Sequence, residues 1–124
     1  MLATRCPCLS GNAYEDCCGR FHEGTAVAPT AEALMRSRFS AYALGLAGYI
    51  LDTWHPSTRP TELELDPGLS WYRLDVLAAR GGPFDREGVV EFRAYYRSDG
   101  QRGDQHEVSR FVREHGRWYY VDAA

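Results

Sequence analysis

All four cysteines of this 124-residue chain lie within one stretch of 13 residues, spaced C-x-C-x(8)-C-C. They are Cys6, Cys8, Cys17 and Cys18. Four thiolates from two close pairs can surround one ion tetrahedrally at Zn–S distances of about 2.3 Å. The sequence Ser-Gly-Asn at residues 10–12 favours a tight turn that would fold the second pair back on the first. The spacing therefore predicts a metal site, with zinc as the expected ion.

Disulfide bonds, a redox-active dithiol and unligated thiols are the alternatives to a metal site. The N-terminal sequence MLATRC lacks the apolar run of a secretion signal, so we expect a cytoplasmic protein whose thiols stay reduced. A bond between the neighbours Cys17 and Cys18 would also be strained. A thioredoxin-like site needs C-x-x-C opening a helix after a strand, which this segment lacks. Unligated thiols stay open, although four in so short a segment favour a metal.

His22 follows the last cysteine by four residues and is a possible substitute ligand. Four thiolates already complete a tetrahedral shell. We therefore interpret His22 as lying next to the shell rather than in it.

The composition bounds the class of protein. The chain is 44% hydrophobic and 13% aromatic, which is enough for a packed core of single-domain size. Its formal net charge of -3 gives no general reason to expect direct nucleic-acid binding. No segment approaches 18 uninterrupted apolar residues, so no membrane-spanning segment is predicted.

Residues 23–29, EGTAVAP, lack periodicity and are predicted to link a metal knob at residues 1–22 to a body at residues 30–124. Because the body has the composition for a core of its own, we expect it to fold without the knob.

The body begins with two helices. Thr30 is the expected N-cap of the first helix, whose apolar face is predicted from the helical spacing of Met35, Phe39, Tyr42 and Leu46. A second, short helix is expected at about Tyr49–Trp54, ending before a proline.

Alternating segments in the second half predict four strands with hairpin turns between them. These are Trp71–Ala79, Val89–Arg97, His106–Glu114 and Arg117–Asp122. In the first strand, the alternation places Tyr72, Leu74, Val76 and Ala78 on one face. Helices followed by an antiparallel meander indicate an α+β domain with the helices packed on one sheet face.

Three polar residues of the body are candidates for chemistry. Arg38 falls inside the apolar arc of the first helix, so it must either pair with a carboxylate such as Glu91 or Glu107 or bind an anion in a pocket. His55, beside a tryptophan at the end of the second helix, is a weak candidate for a general base. Glu91, on a predicted strand, is the matching candidate carboxylate. None of them forms a recognisable catalytic motif, so a non-enzymatic protein is favoured.

The cysteine spacing resembles the SEC-C motif, a small metal-binding module found at the end of the bacterial translocation motor SecA. That motif reads C-x-C-x(8)-C followed by His or Cys, and the four cysteines match it position by position. The motif usually carries Gly after the second cysteine, where this chain has Leu9. Iron has also been considered for SEC-C motifs, so the resemblance leaves iron open beside zinc.

The segments APTAEALMRSRFSAY, YILDTWHPSTRP and SRFVREHGRWYYVD resemble the YchJ family of small bacterial proteins. The resemblance implies a SEC-C motif followed by a cystatin-like, nuclear-transport-factor-like domain, with helices on a curved antiparallel sheet.

Two functions follow as expectations. Related motifs in SecA contact translation and secretion components, so the resemblance implies a knob that binds a protein or ribonucleoprotein partner, with Arg5 and Arg20 at its polar rim. The alternative is a small enzyme or ligand-binding protein that uses a cone-shaped pocket in the body, with Arg38, His55 and Glu91 around it. Metal storage is a third possibility, although a closed four-thiolate shell suggests retention of the ion.

Overall fold

The structure is a computed structural model that describes residues 4–124, so the first three residues of the predicted knob lie outside the described residues. A 3-10 turn at Tyr14–Asp16 precedes the α-helices and the strands. The helices are α1 (Cys18–His22), α2 (Ala31–Leu44) and α3 (Ala47–Asp52). The strands are β1 (Leu69–Arg80), β2 (Glu87–Ser98), β3 (Gln101–Glu114) and β4 (Arg117–Ala123).

The four strands form one antiparallel meander in the order β1-β2-β3-β4. Asp99 and Gly100, between β2 and β3, have positive φ angles of 52° and 78°. His115 and Gly116, between β3 and β4, have φ angles of 54° and 78°. Two consecutive residues with positive φ are typical of the type I′ turn, whose twist matches that of the flanking strands. The predicted α+β architecture, with helices on one face of a four-stranded sheet, is confirmed.

Helix α2 begins after the predicted N-cap, but it ends at Leu44, so the prediction that Leu46 continues its apolar face is wrong. The Thr30 side chain accepts a hydrogen bond from the backbone N–H of Ala33 at 3.0 Å, which caps the first turn. Gly45 ends the helix in the left-handed conformation at φ 76°. Helix α3 begins two residues earlier than predicted, at Ala47, and the chain directly after its end is tied to the sheet. The backbone N–H of His55 donates to the carbonyl of Tyr120 on β4 at 2.7 Å.

The prediction for the faces of β1 is wrong at Tyr72 and at Ala78, because the register against β2 shifts at two places. The shift between Val76 and Ala78 brings the exposed Ala78 opposite Glu91 on the outer face. The register of β1 against β2 shifts between Trp71 and Arg73, which indicates a bulge. A bulge inserts one extra residue and reverses the alternation of faces beyond it. Trp71 therefore packs against the core together with the buried Leu74, whereas Tyr72 is exposed.

The predicted linker and the end of the knob take part in the main core. Phe21 of α1 and Ala28 are buried in the same apolar cluster as Leu34, Phe111 and Trp118. The indole N–H of Trp118 also donates to the backbone carbonyl of Pro29 at 3.2 Å. The structure thus differs from the expectation of a body with a core separate from the knob, because the knob supplies an aromatic residue to that core. The boundaries at residues 22 and 30 themselves stay a prediction.

Candidate metal centre

The first candidate site is the cysteine cluster, in which the four Sγ atoms all lie within 4.8 Å of one another. Cys6, Cys8 and Cys18 are buried, and Cys17 is half-buried. The Sγ atoms of Cys8 and Cys17 are 3.7 Å apart. Four sulfurs at Zn–S bonds of about 2.3 Å in a tetrahedron lie about 3.8 Å from one another. The spacing of the donor atoms therefore fits a four-coordinate thiolate site, and the four thiols are not joined in disulfides.

The local backbone explains how two cysteine pairs meet. The backbone N–H of Cys6 donates to the carbonyl of Asn12 at 3.0 Å, and that of Leu9 donates to the carbonyl of Cys6 at 3.1 Å. These bonds close the predicted turn. The Arg5 guanidinium closes it from outside by donating to the Gly11 carbonyl at 2.7 Å.

The sulfur atoms have hydroxyl neighbours suited to anionic sulfur. Ser10 Oγ lies 3.2 Å from Cys17 Sγ, and the buried Ser40 Oγ of α2 lies 3.6 Å from Cys6 Sγ. A hydroxyl that donates to a thiolate stabilises its charge and orients it for a metal. Hydrogen bonding with the Cys18 thiol lowers the pKa of Cys8, and the same contact together with burial raises the pKa of Cys18. The raised pKa keeps the Cys18 thiol protonated without a metal, so all four sulfurs would be thiolates only with a bound cation that compensates their charge.

His22 does not join the cluster but holds it to α2, as its assignment outside the shell predicts. Its Nε2 lies 2.8 Å from the backbone carbonyl of Ser37, which can only accept, so Nε2 carries the proton and donates. Its Nδ1 is then the acceptor for the Tyr14 hydroxyl at 2.6 Å. The ring also meets Tyr49 edge-on, with centroids 4.6 Å apart. Burial lowers the pKa of His22, which favours this neutral form.

Arg36 makes a second connection between α2 and the cluster. Its Nη1 donates to the backbone carbonyl of Cys8 at 3.0 Å, while its Nε donates to Glu32 at 2.9 Å. No pattern in the sequence indicated Arg36, Tyr14, Ser37 or Ser40, because each contacts a residue of another local segment.

The outer end of the cluster is an exposed loop with an apolar residue. Leu9, directly after the second cysteine, has a φ of 65° and is 55% exposed. This is the left-handed conformation that Gly adopts without cost and that costs other residues roughly 1–2 kcal/mol. The departure of Leu9 from the glycine of the SEC-C pattern therefore leaves the turn in place and strains one residue.

The second site is a cavity of about 170 Å³ between α2, the end of α3 and the inner sheet face. Arg38 lines it, but His55 and Glu91 do not. The expectation that these three residues surround one pocket is therefore wrong. The Nε2 atom of His55 lies 3.0 Å from Oε1 of Glu114 at the end of β3, because the chain after α3 pairs with β4 at Tyr120. Glu91 pairs with His106 on the outer face of the sheet at 2.7 Å.

Arg38 is buried, as its place in the apolar arc predicts, but its expected carboxylate partner is absent. Among residues 4–124, the salt bridges do not include Arg38. Its Nη1 instead donates to the Ile50 carbonyl and to the Thr53 hydroxyl, each at 2.7 Å. Burial lowers the pKa of Arg38 to about 10.

The fold and the cluster define a class of protein, a nuclear-transport-factor-like domain that carries a SEC-C motif at its N-terminal end. The model of the SEC-C motif matches residues 4–20, and the model of the YchJ middle NTF2-like domain matches residues 30–123. The chain therefore belongs to the YchJ-like family.

Relatives and solved structures agree with this assignment. A UPF0225 protein of Streptomyces coelicolor is 56% identical over 118 residues, covering 94% of this chain and 92% of the relative. One from Corynebacterium glutamicum is 54% identical over 120 residues, covering 96% and 95%. The solution structure of a SEC-C motif containing protein from Rhodopseudomonas palustris superposes with a TM-score of 0.86 at 36% identity, covering 96% of each chain. A crystal structure of another, from Psychrobacter arcticus, gives 0.79 at 30% identity, covering 94% of this chain and 80% of that one.

Proposed function

We propose that this protein binds one Zn²⁺ through Cys6, Cys8, Cys17 and Cys18 and uses the surrounding knob to bind a protein or ribonucleoprotein partner. The knob is here residues 4–22. The metal assignment rests on the convergence of four thiols, three of them buried, at a spacing that fits a tetrahedral shell. Zinc is the ion that closed thiolate shells of this kind most often hold.

The role of the metal in this proposal is structural. Four protein ligands leave no open position for water or substrate, so the ion supplies folding energy to the segment rather than catalysis. It would hold the turn at residues 9–12 against α1, while the contacts of His22 and Arg36 hold both to α2. The result is a rigid loop on the surface of the body.

The exposure and the backbone conformation of Leu9 support the proposal that the knob binds a partner. The side chain is largely exposed, so it contributes little to the core, and its backbone conformation disfavours leucine. A residue held in a strained backbone conformation at an exposed position suggests a contact outside the chain. The exposed Arg5 and Arg20 lie on the segments before and after this loop, and the exposed Glu15 and Asp16 lie between them, so the rim is polar and of mixed charge. An apolar anchor inside a polar rim suits contact with a protein or a ribonucleoprotein surface.

A cytoplasmic location belongs to this proposal, because four reduced thiols can bind zinc only where disulfides do not form. Within residues 4–124, the structure has no helix with the length and hydropathy needed to cross a membrane.

Site-specific photo-crosslinking in cells tests the partner-binding part. A photoreactive amino acid replaces Leu9 in one variant and Leu77 in a matched control, since the two leucines are 55% and 53% exposed. Leu77 lies on β1, outside the knob. We expect one discrete crosslinked partner from position 9, none from position 77, and loss of the product when all four cysteines are changed to Ser. Equal products from both positions, or a product that survives the loss of all four cysteines, would contradict the proposal.

A further inference from the structure

The cavity of the body has one buried cation and walls that are mostly aromatic. It opens beside α2 above the inner face of the sheet and has a volume of about 170 Å³. Its apolar lining includes Phe39, Tyr42, Trp54, Trp71, Phe92 and Tyr120. Flat apolar walls of this kind accommodate a planar apolar group, because aromatic rings stack or meet edge-on with such a group.

The guanidinium of Arg38 is incompletely used by the protein. Arg38 is 4% exposed, and both of its hydrogen bonds leave from Nη1. In the described part of the chain, Trp54 Nε1 is the one fully buried side-chain nitrogen or oxygen without a partner. The Nε and Nη2 atoms of Arg38 therefore keep accessible surface. Because the residue lines the cavity and is otherwise enclosed, this surface opens into the cavity.

The contacts that Arg38 does make do not neutralise its charge. Its partners Ile50 and Thr53 are uncharged oxygen acceptors, and its guanidinium carbon lies 4.7 Å from the ring centroid of Tyr120. Contacts with dipoles and an aromatic ring offset only part of the cost of burying a cation. An anion that enters the cavity can therefore gain from a charge that the fold has already desolvated.

Glu107, the acidic residue of the cavity lining, has its own donors. Its carboxylate accepts hydrogen bonds from Gln105 at 3.2 Å, from the Ser109 hydroxyl, and from the Tyr120 hydroxyl at 3.5 Å. These neutral donors occupy both carboxylate oxygens, so Glu107 is less available than Arg38 for a ligand. Its negative charge nevertheless disfavours a second anionic group in the same cavity.

We propose that this cavity binds a small organic monoanion, a carboxylate on a flat apolar body of about one ring, with the carboxylate paired to Arg38. The geometry favours a carboxylate because a guanidinium edge with two N–H donors matches its two oxygens. The one negative charge follows from Glu107, and the flat body follows from the aromatic walls. The site is separate from the cysteine cluster and does not depend on the zinc proposal.

Titration of the full, metal-loaded chain with benzoate, benzyl alcohol, benzylammonium and terephthalate tests the site. Amide NMR shifts report where each compound binds and how tightly. We expect benzoate to shift the cavity residues and to bind about tenfold or more tightly than benzyl alcohol, since hydrogen bonds to charged groups contribute that much. Terephthalate should bind more weakly than benzoate because of its second charge. Benzoate that shifts no cavity residue at millimolar concentration, or benzylammonium that binds more tightly than benzoate, would overturn the proposal.

Three variants separate the pairing from general effects on the fold. Arg38→Gln should reduce benzoate binding about tenfold or more and leave benzyl alcohol binding unchanged. Arg93→Gln is the matched control, because Arg93 pairs with Asp104 outside the cavity, and it should bind benzoate like the wild type. If Arg38→Gln fails to fold, Glu107→Gln tests the site through its negative charge. Loss of that charge should raise the affinity for terephthalate toward that for benzoate. Unchanged discrimination against terephthalate in Glu107→Gln, or full benzoate binding in a folded Arg38→Gln, would contradict the proposed site.

Discussion

Replacement of His22 by Ala tests how the knob is held to the body. The change removes the hydrogen bond from Nε2–H to the Ser37 carbonyl at 2.8 Å and the one from the Tyr14 hydroxyl to Nδ1 at 2.6 Å. It also removes the edge-on contact with Tyr49. Each hydrogen bond contributes about 1 kcal/mol, and the aromatic contact contributes about 0.5–1.5 kcal/mol. We therefore expect the free energy of unfolding to fall by about 3 kcal/mol.

The same variant should still bind zinc. His22 is not among the four residues whose donor atoms converge, so His22→Ala should retain one zinc per chain. Urea denaturation followed by tryptophan fluorescence gives the stability, and elemental analysis of the purified protein gives the zinc content. His106→Ala is the control, because His106 pairs with Glu91 on the exposed sheet face and its loss should change stability far less.

Two results would refute this reasoning. If His22→Ala loses zinc while its stability in the presence of excess zinc is normal, then His22 is a ligand. If the variant is as stable as the wild type and keeps its zinc, then the hydrogen bonds to Tyr14 and Ser37 do not hold the knob to α2.

Three further substitutions are expected to have separable effects on the free energy of unfolding, which urea denaturation measures. Leu9→Gly should leave stability unchanged or raise it by up to about 1 kcal/mol, because glycine adopts the φ of 65° without strain. The same variant should capture less of the partner. A loss of stability would contradict the strain assigned to Leu9. Thr30→Ala should cost about 1 kcal/mol through loss of the cap on α2, and no change would argue against that cap. Gly88→Ala should lower the free energy of unfolding by about 2 kcal/mol or more, because the added Cβ would lie 2.7 Å from the Cβ of Ala31. An unchanged free energy of unfolding would show that β2 can move away from α2.

The cysteine cluster and the order of elements could be predicted because both depend on local patterns. Thiol spacing limits the geometry of the cluster, and the 3.6 and 2.0 residue periods mark helices and strands. The helical period also predicts the buried position of Arg38 on α2, which is confirmed. The faces of Tyr72 and Ala78 could not be predicted, because two bulges in β1 shift the register without a signal in the alternation.

The remaining features depend on contacts between segments far apart in the sequence. The partners of Arg38 are the Ile50 carbonyl and the Thr53 hydroxyl. They lie beside Arg38 because backbone hydrogen bonds hold the chain after α3 against Tyr120 of β4. His22 meets Ser37 across 15 residues, and neither position carries a local pattern. The role of Phe21 in the main core was likewise hidden, because an apolar residue in a short segment does not show which core it enters.

X-ray absorption spectroscopy of freshly purified wild-type protein, combined with metal quantification, tests whether the four cysteines hold a zinc ion. We expect one zinc per chain with four sulfur neighbours at about 2.3 Å. A nitrogen or oxygen neighbour in the first shell would contradict the assignment of Cys6, Cys8, Cys17 and Cys18 as the complete ligand set. Metal-free protein that keeps the same fold and stability would contradict the zinc site itself.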